Sequence, residues 1–452
     1  MKTVITDSQS QAIFEQLRQG NRRHAEAFPG DAPGRQPVHT AYGGAHLFRA
    51  GTTAKLGAIA KRGFEAYAPD ARSFQHALGT SFDEALAETL YARVLGKLER
   101  EAVEDFRIDF EDGFGNRPDD EEDQTAITAA SEVAKGMASG SLPPFIGIRI
   151  KTLSDELKVR SVRTLDLFIS TLLGESGGKL PSGFVVTLPK ITHAAQVAAL
   201  TECFEILEAQ HELPSGSLKM EFMVETPESI YGEQGAKTLR HWADTAGGRC
   251  VAAHFGTYDF TAAMNITANH QTMDHPICDF ARSVMKVALA GTGLWLSDGA
   301  TNIMPVPKHN TKDGAQLNPA QLEENRQAIF QAWVLSYTHI RHSLRCGIYQ
   351  GWDLHPMQLP IRYAAVYAFF LEALEATTNR LRNFMETAAK ATLAGAVFDD
   401  AATGQGLLNF FLKAHACGAI DEAELMAPGL SMAELRSRSF SQILRMRRDQ
   451  AG

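Results

Sequence analysis

The stretch KMEFMVETP, residues 219–227, is an apolar, strand-like segment that ends in a single carboxylate, Glu225. Further along the chain, CVAAHFGTYDF (250–260) has the same character and carries Asp259 near its end. A charged side chain is costly inside a dry strand unless it is paired or binds a cation. We therefore interpret the two segments as neighbouring strands that bring two acids to a common site.

Six further short apolar runs extend this pattern in both directions, with amphipathic helical stretches between most of them. The predicted strands are 39–47, 105–114, 145–151, 183–191, 220–227, 250–260, 294–306 and 346–356. Strands that alternate with helices indicate a parallel sheet, and eight such units favour a closed (β/α)8 TIM barrel over an open doubly wound sheet. No GxGxxG sequence follows a strand, which disfavours a dinucleotide-binding fold.

The predicted fold is an α/β TIM barrel with an N-terminal extension, a helical insertion and a C-terminal helical segment. We divide the chain into a helical extension at 1–38, a catalytic barrel at 39–360 and a helical segment at 361–452 that serves as a lid or subunit contact. Within the extension, the polar pattern predicts a helix over about 8–27. No internal repeat or low-complexity tract interrupts this organisation.

Composition excludes several classes of function. The chain has 452 residues and a formal net charge of −9, which disfavours binding to nucleic acid or to an anionic membrane. No apolar run is long enough for a transmembrane helix, and the N-terminus is too polar for a signal peptide. The five cysteines are scattered without CxxC spacing, which indicates reduced thiols and a cytoplasmic protein.

Polar residues cluster near the ends of the predicted strands. In a TIM barrel the chemistry takes place at the carboxyl ends of the strands, so these residues are expected to meet at one mouth. They are Asp109, Glu111, Asp112, Arg149, Lys151, Lys190, Glu225, Asp259, Asp298, Asn302, Asp353 and His355.

Glu225 and Asp259 are our predicted metal ligands. Two carboxylates without nitrogen or sulfur partners suit Mg²⁺, with Mn²⁺ as an alternative, and such an ion completes its coordination with water and substrate oxygens. The alternative interpretation is that each acid pairs with a lysine or arginine, or caps the helix that follows it.

Arg149 is predicted to bind a substrate carboxylate or an enolate oxygen, because its guanidinium is always charged and binds such groups through two nitrogens. The alternative is a structural ion pair with Asp109 or Glu111. The acids of FEDGFG (110–115) could orient Arg149 or hold a metal-bound water, and direct metal ligation by Glu111 or Asp112 is the less favoured alternative.

Four other residues complete the sequence-based site. Lys190 is predicted to act electrostatically in substrate binding, with a Schiff base as the alternative. His46, at the end of the first strand, is a candidate catalytic residue, whereas His254 and His355 are interpreted as hydrogen-bonded core residues.

Short motifs along residues 40–410 resemble a known superfamily. RIDFEDGFG, IRIK, TLPK, FMVETPESI, FGTYDFTAAMNI and LHPMQLP stand in chain order. They are similar to the HpcH/HpaI aldolase and citrate lyase β-subunit superfamily, which includes malyl-CoA lyases and is related to malate synthases. The resemblance implies a TIM barrel that cleaves or forms a carbon–carbon bond through an enolate, with Mg²⁺ as cofactor.

Carried over to this chain, the resemblance makes Glu225 and Asp259 the metal ligands and Arg149 the substrate-binding arginine. It implies that Asp112 is the acid near the metal waters. The segment GAVFDDAATGQGLL (395–408) is similar to a C-terminal segment whose aspartate reaches a neighbouring subunit, which suggests Asp400, or else Asp399, as a catalytic acid. The alternative is a turn acid before a helix.

Gly256 and Thr257, which lie between the two predicted metal ligands, complete the predicted substrate-binding set. The chain departs from the superfamily in extra segments at 1–38, 68–103 and 415–452. The resemblance also implies a homo-oligomer, a trimer or a hexamer.

The first functional hypothesis is retro-aldol cleavage of a 2-oxo-4-hydroxy acid or a 3-hydroxyacyl thioester, and the second is a malate-synthase-like condensation of an acyl-CoA with a 2-oxo acid. From other classes, a non-catalytic metal- or metabolite-binding subunit stays open. A phosphotransferase lacks the expected glycine-rich phosphate loop.

Overall fold

The computed structural model describes residues 4–32, 34–311, 316–390 and 401–451. Its centre is a closed barrel of eight parallel strands that follow one another in chain order, with β1 paired to β8 and His39 opposite Gly351. The predicted (β/α)8 fold is therefore confirmed. The strands are β1 (His39–Gly44), β2 (Asp105–Asp109), β3 (Phe145–Arg149), β4 (Val185–Leu188), β5 (Lys219–Val224), β6 (Cys250–Phe255), β7 (Trp295–Ala300) and β8 (Gln350–Asp353).

Helices surround the barrel and extend it at both ends of the chain. The helices of the described residues are α1 (Asp7–Ala27), α2 (Thr52–Tyr67), α3 (Ala71–Leu78), α4 (Glu84–Glu101), α5 (Asp119–Ser139), α6 (Lys158–Ser176), α7 (Ala194–Gln210), α8 (Pro227–Tyr231), α9 (Thr238–Thr245), α10 (Thr257–Ala263), α11 (Pro276–Leu289), α12 (Pro319–Arg345), α13 (Leu359–Lys390), α14 (Ala401–Ala416), α15 (Glu422–Met426), α16 (Met432–Ser437) and α17 (Phe440–Ala451). Three short 3₁₀ turns lie at Ala45–Leu47, Ala268–His270 and Pro356–Gln358.

The predicted strands continue too far at their carboxyl ends. The segments 105–114 and 250–260 contain strands that stop at Asp109 and Phe255. Their remaining residues form the loops and the short helix α10 at the barrel mouth. The sequence pattern does not separate these parts, because the loops are also rich in aromatic and apolar residues. The mouth is therefore built from the segments that the pattern assigns to strand ends.

Helix α1 differs from the other long helices in that none of its residues is buried. A capping box at Thr6 closes its N-terminus, where the Thr6 hydroxyl accepts from the Gln9 amide at 3.4 Å. The predicted helix over 8–27 is thus confirmed to within one residue. The predicted boundary at 360 falls inside α13, which packs against α12 and α4. The division into three parts remains our proposal.

The barrel interior below the mouth contains a buried ion-pair cluster. Arg107 donates from Nε and Nη2 to the two carboxylate oxygens of Glu221, both at 2.7 Å, and it also pairs with Asp105. The Thr187 hydroxyl donates to Glu221 at 2.5 Å. All four side chains are buried, so the cluster satisfies charges that would otherwise be costly in the core.

His254 lies beside this cluster and is fully buried, as its interpretation as a core residue requires. Its Nε2 is 3.2 Å from a Glu221 oxygen, but neither ring nitrogen meets hydrogen-bond geometry with a described residue. Burial lowers the pKa of His254 to about 4, so the ring is neutral. The predicted hydrogen bond is therefore absent from the described contacts.

The expectations about membranes and thiols can be compared directly with the structure. Among the described residues, no helix combines the length and the hydropathy that a membrane span requires. All five cysteines are free thiols.

Candidate active site

Seven of the predicted strand-end residues form one charged cluster at the mouth. Five are carboxylates and two are bases, so the ionised cluster would carry three unbalanced negative charges. A mouth of this composition favours the binding of a cation. The members are Asp109, Glu111, Asp112, Arg149, Lys190, Glu225 and Asp259.

Arg149, at the end of β3, is held by Asp109 at the end of β2. Its Nε and Nη2 donate to the two oxygens of Asp109 at 2.7 and 2.5 Å. The same carboxylate accepts the amides of Glu111 at 3.0 Å and Gly113 at 2.7 Å, which fold the loop around it. The ion pair considered as the alternative for Arg149 is thus present, and it orients the guanidinium.

The remaining nitrogen of Arg149 faces the loop acids. Nη1 lies 3.1 Å from Glu111 and 3.5 Å from Asp112. The guanidinium also stacks over the ring of Tyr42, with 5.0 Å from its central carbon to the ring centre. Burial opposes the charge, but hydrogen bonds and the charge of Asp109 hold the pKa of Arg149 well above its usual range.

Lys190 is the centre of the cluster. Its Nζ lies 2.5 Å from Glu111, 3.5 Å from Asp112 and 3.6 Å from Asp259. Its backbone amide donates to Glu225 at 2.7 Å. Burial disfavours the ammonium, but the charges of Glu225 and Glu111 raise its pKa above the ordinary value, so Lys190 is protonated and not a ready Schiff-base nucleophile.

The backbone of Lys190 is in the left-handed region, with φ at +50°. This conformation is uncommon for a residue with a side chain, and such conformations occur preferentially at functional sites. Here it allows one residue to present both its amide and its ammonium to the acids of the mouth.

Glu225 follows β5 and is 2% exposed. One oxygen accepts the Lys190 amide, and no described residue donates a hydrogen bond to the other, Oε2. Burial raises the pKa of Glu225 to about 8; Lys190 opposes this shift and Asp259 adds to it. Oε2 therefore has no hydrogen-bond donor among the described residues, although the charge of Lys190 acts on the carboxylate.

Asp259 lies in the first turn of α10, and its side chain is 44% exposed. Its one ionic contact among the described residues is Lys190. The neighbouring Thr257 is buried and its hydroxyl points to the sulfur of Met273 at 3.3 Å, so this hydroxyl faces away from the acids. Gly256 contributes through its small size, because a Cβ there would lie 2.5 Å from Glu225 Oε2.

The donor set fits the predicted Mg²⁺ ion. Glu225 and Asp259 offer oxygen ligands without nitrogen or sulfur, which suits Mg²⁺ or Mn²⁺. The Lys190 ammonium shows that the acids already accommodate a cation among them. Glu225 Oε2 adds a ligand atom that no described hydrogen bond occupies.

His46 reaches the same region from the 3₁₀ turn after β1. Its ring packs against Phe114, with 5.7 Å between ring centres, and its Nδ1 is buried without a hydrogen bond from any described residue. Burial and the charge of Arg117 lower the pKa of His46, so the imidazole can accept a proton at neutral pH.

Four other strand-end residues have partners outside the cluster. Asp298 pairs with Arg282 of α11, and Asp353 with Arg362 of α13, both at 3.0 Å. These acids hold outer helices to the barrel. The other two have local contacts: Lys151 donates to the Phe110 carbonyl at 2.6 Å, and His355 accepts the Met357 amide at 3.2 Å.

Some features of the site were not singled out from the sequence. Tyr42 stacks on Arg149, and Gly113 must lack a side chain because a Cβ would lie 2.6 Å from Asp109 Oδ2. Asp399 and Asp400 lie outside the described residues.

A separate group of metal-binding residue types lies on α11 and α12. Asp279 is 2.7 Å from His342 Nε2, and Cys346 Sγ is 3.9 Å from the same nitrogen. However, Arg282 also donates to Asp279 at 2.7 Å. The guanidinium neutralises the acid and repels a cation, so this group is an ion-pair cluster and not our predicted metal site.

The pKa of Glu225 predicts how pH affects the metal-free protein. The folded carboxyl holds its proton up to about pH 8, whereas the unfolded carboxyl releases it near its ordinary value of 4.5. Where the folded state binds more protons, stability falls as pH rises. We therefore expect the contribution of Glu225 to the free energy of unfolding to decline between about pH 4.5 and pH 8. Urea unfolding in the presence of a chelator measures this contribution. Glu225→Gln should lack this decline, and an identical pH profile in both proteins would contradict the prediction.

Gly256→Ala is expected to weaken Mn²⁺ binding by about tenfold or more, because the added Cβ must displace Glu225 Oε2. Electron paramagnetic resonance of free Mn²⁺ measures the change. The matched control is Gly174→Ala in α6, where a Cβ has open space. Equal Mn²⁺ affinity in the two variants would show that Glu225 does not bind the ion.

Comparison with known proteins gives one family match. The model of the family described as "Domain of unknown function (DUF6986)" matches residues 17–443. A search of curated proteins found no match. This match does not confirm the resemblance to the HpcH/HpaI superfamily, which stays a prediction.

Solved structures share the fold. A citrate lyase from Burkholderia xenovorans LB400 is 16% identical, with a TM-score of 0.54 over 90% of this chain and 98% of that chain. A malate synthase from Haloferax volcanii, studied with glyoxylate, is 14% identical, with a TM-score of 0.48 over 90% of this chain and 97% of that chain. At 16% identity the citrate lyase comparison supports the fold alone.

Proposed function

The chain belongs to the DUF6986 family, and from its barrel mouth we propose that it is a Mg²⁺-dependent carbon–carbon lyase that acts through an enolate. The observation that carries the proposal is that Glu225 and Asp259 follow successive strands, β5 and β6, and that Lys190 contacts both, Glu225 through its amide and Asp259 through its ammonium. The proposed substrate is a 2-oxo-4-hydroxy acid or a 3-hydroxyacyl thioester. The citrate lyase with the same fold is consistent with this class of reaction.

The proposed metal ligands are Glu225 and Asp259. When bound there, Mg²⁺ would act as a Lewis acid on the substrate's keto oxygen.

Asp112 marks the proposed position of the substrate carboxylate. Its carboxylate lies 3.5 Å from both Arg149 Nη1 and Lys190 Nζ, and its side chain is 59% exposed. These contacts are long and solvent-exposed, so a substrate carboxylate can replace them at little cost. Arg149 and Lys190 would then bind the substrate and stabilise negative charge that develops during the reaction.

Arg149 is prepared for this role by Asp109, which fixes two of its nitrogens and leaves the third directed towards the mouth. A guanidinium that is already oriented needs little rearrangement in the transition state. Lys190 is the more exposed of the two bases and could also follow a moving substrate.

In the cleavage direction, a base removes the proton of the 4-hydroxyl group. The bond between carbons 3 and 4 then breaks to give a carbonyl product and an enolate, and the enolate takes up one proton at carbon 3. The candidates for the base are His46, whose Nδ1 has no hydrogen bond, a water molecule near Asp112, and Asp400 from a neighbouring subunit. Gly256 contributes by leaving room for the Glu225 carboxylate.

Proton NMR of pyruvate in D₂O tests the proposal. A Mg²⁺-dependent loss of the methyl signal is expected, because an enzyme that forms the enolate must exchange these protons. If pyruvate does not exchange, acetyl-CoA is tested in the same way, and exchange there would favour the malate-synthase-like condensation. No exchange with either compound would favour a non-catalytic binding subunit.

We also propose that the chain forms a homo-oligomer in which the extension or the C-terminal segment contacts a second copy. The support is α1, where Ile13, Phe14 and Leu17 are exposed and no residue is buried. Helices of this length normally gain their stability from packing of an apolar face. Light scattering during size-exclusion chromatography, with and without residues 1–27, measures the effect.

A further inference from the structure

A second cavity lies at the end of the barrel opposite the mouth. Its volume is about 760 Å³, and it is lined by Gly34 and Arg35 before β1, by Glu104 before β2, and by α14 to α16. Because parallel strands begin at this end, the cavity is separated from Glu225 by the barrel interior. In TIM barrels this face ordinarily serves stability and not catalysis.

Part of the charge in this cavity is balanced. Arg35 Nη2 lies 2.5 Å from Glu101 and 2.7 Å from Glu104, and Lys97 Nζ lies at the same two distances from these acids. Two bases and two acids thus form a closed, neutral quartet on one wall. These residues need no ligand.

Three further arginines line the cavity without an ion pair to any described acid, although the Asp31 carboxylate is near enough to Arg438 for their charges to interact. Arg100 and Arg436 form no ion pair with any residue in the described part of the chain. Arg438 donates only to backbone carbonyls there, at 2.8 Å to Ala32 and 3.3 Å to Asp31. The cavity therefore carries an excess of positive charge on a chain whose net charge is −9.

Another part of the lining is apolar. It is formed by side chains of the C-terminal helices, Leu412, Leu425, Met432 and Leu435. Met432 is 38% exposed, so it borders the open space. The lining thus combines unpaired arginines with apolar side chains, and the volume of the cavity lies in the range of small-molecule pockets.

We propose that this cavity binds an amphiphilic organic phosphate, with the phosphate on Arg100, Arg436 and Arg438 and the apolar body against the leucines and Met432. One guanidinium group can bind two phosphate oxygens at once, which is a reason for arginine and not lysine at these three positions. The apolar side chains would be covered only by a ligand that carries an apolar group in addition to its phosphate. The location makes the compound an effector or a stabilising ligand, and the inference does not depend on the proposed reaction.

Isothermal titration with hexyl phosphate tests the site. We expect hexyl phosphate to bind the wild-type protein at least about tenfold more tightly than inorganic phosphate, because only the ester reaches the apolar side chains. The double variant Arg100→Ala/Arg436→Ala should have an affinity for hexyl phosphate that is lower by about tenfold or more. Met432→Ser should lower the affinity for hexyl phosphate and leave the affinity for inorganic phosphate unchanged.

Arg72→Ala is the matched control, since Arg72 is an exposed arginine on α3 that does not line the cavity. It should bind hexyl phosphate like the wild type. Circular dichroism verifies that each variant folds, and all replaced residues are exposed. Unchanged affinity in the double arginine variant, or equal affinity of the wild type for the ester and for inorganic phosphate, would overturn the proposal. The titration measures binding of the phosphate ester directly. A negative result would therefore bear on this cavity alone and not on the reaction that the proton-exchange experiment tests.

Discussion

Glu225→Gln is expected to lower the rate of Mg²⁺-dependent methyl exchange in pyruvate by roughly a thousandfold or more, since a lost Lewis acid removes several kcal/mol of transition-state stabilisation. Glutamine keeps the size of the side chain and its acceptor oxygen for the Lys190 amide. It cannot supply the negative charge that a hard divalent cation requires. Proton NMR in D₂O gives the rate.

The fold should survive this substitution. Glu225 is buried and its raised pKa shows that the neutral form is tolerated, so an amide introduces no unpaired buried charge. Glu228→Gln is the matched control, because Glu228 lies in the first turn of α8 and is exposed. If Glu225→Gln keeps wild-type exchange, or if Glu228→Gln loses it equally, Glu225 is not the metal ligand.

Glu221→Gln should be the most damaging single change to stability, with an expected loss of about 3–5 kcal/mol in the free energy of unfolding. Arg107 would keep its charge in the core and lose its bidentate partner. Asp105 remains, but it accepts from only one side-chain nitrogen of Arg107, whereas Glu221 accepts from Nε and Nη2. Burial raises the pKa of Asp105, and the charge of Arg107 lowers that of Glu221 against the effect of burial. Urea unfolding measures the loss.

The double variant Arg107→Met/Glu221→Leu separates the ion pair from simple packing. Removing both charges leaves no unpaired arginine in the core. Asp105 loses Arg107, but burial already raises its pKa, so it can become neutral, and we expect the double variant to be much more stable than Glu221→Gln. A double variant that is no more stable than the single one would show that the cost comes from shape and not from the unpaired arginine. Thr187 loses its acceptor only in the double variant, because glutamine keeps a side-chain oxygen, and this loss works against the expected difference.

The sequence predicted the number and order of the strands, because apolar runs and helical periods alternate regularly from residue 39 to residue 353. It could not locate where each strand ends. The segment 294–306 illustrates this, since β7 stops at Ala300 and the rest is a loop. Strand ends depend on where pairing with the neighbours stops, and that is a property of the closed barrel.

The candidate site was predictable as a set of residues but not as a set of partners. Spacing along the chain places Arg149 and Lys190 near strand ends, but it does not reveal that Lys190 reaches Glu111. For Asp298 the prediction of its location was wrong, because the strand pattern assigns this residue to the mouth. The β7–β8 register shifts between Ser297 and Ala300, and Asp298 pairs with Arg282 of an outer helix.

The position of the Lys190 ammonium has a consequence for how the mouth is assembled. Glu111, Asp112 and Asp259 already have a shared counter-charge supplied by the chain itself. The acids therefore need not repel one another while the barrel closes. If the proposed divalent ion binds at Glu225 and Asp259, it would enter a mouth whose acids are already arranged around Lys190. Under that proposal, the assembly of the mouth would not depend on the supply of metal.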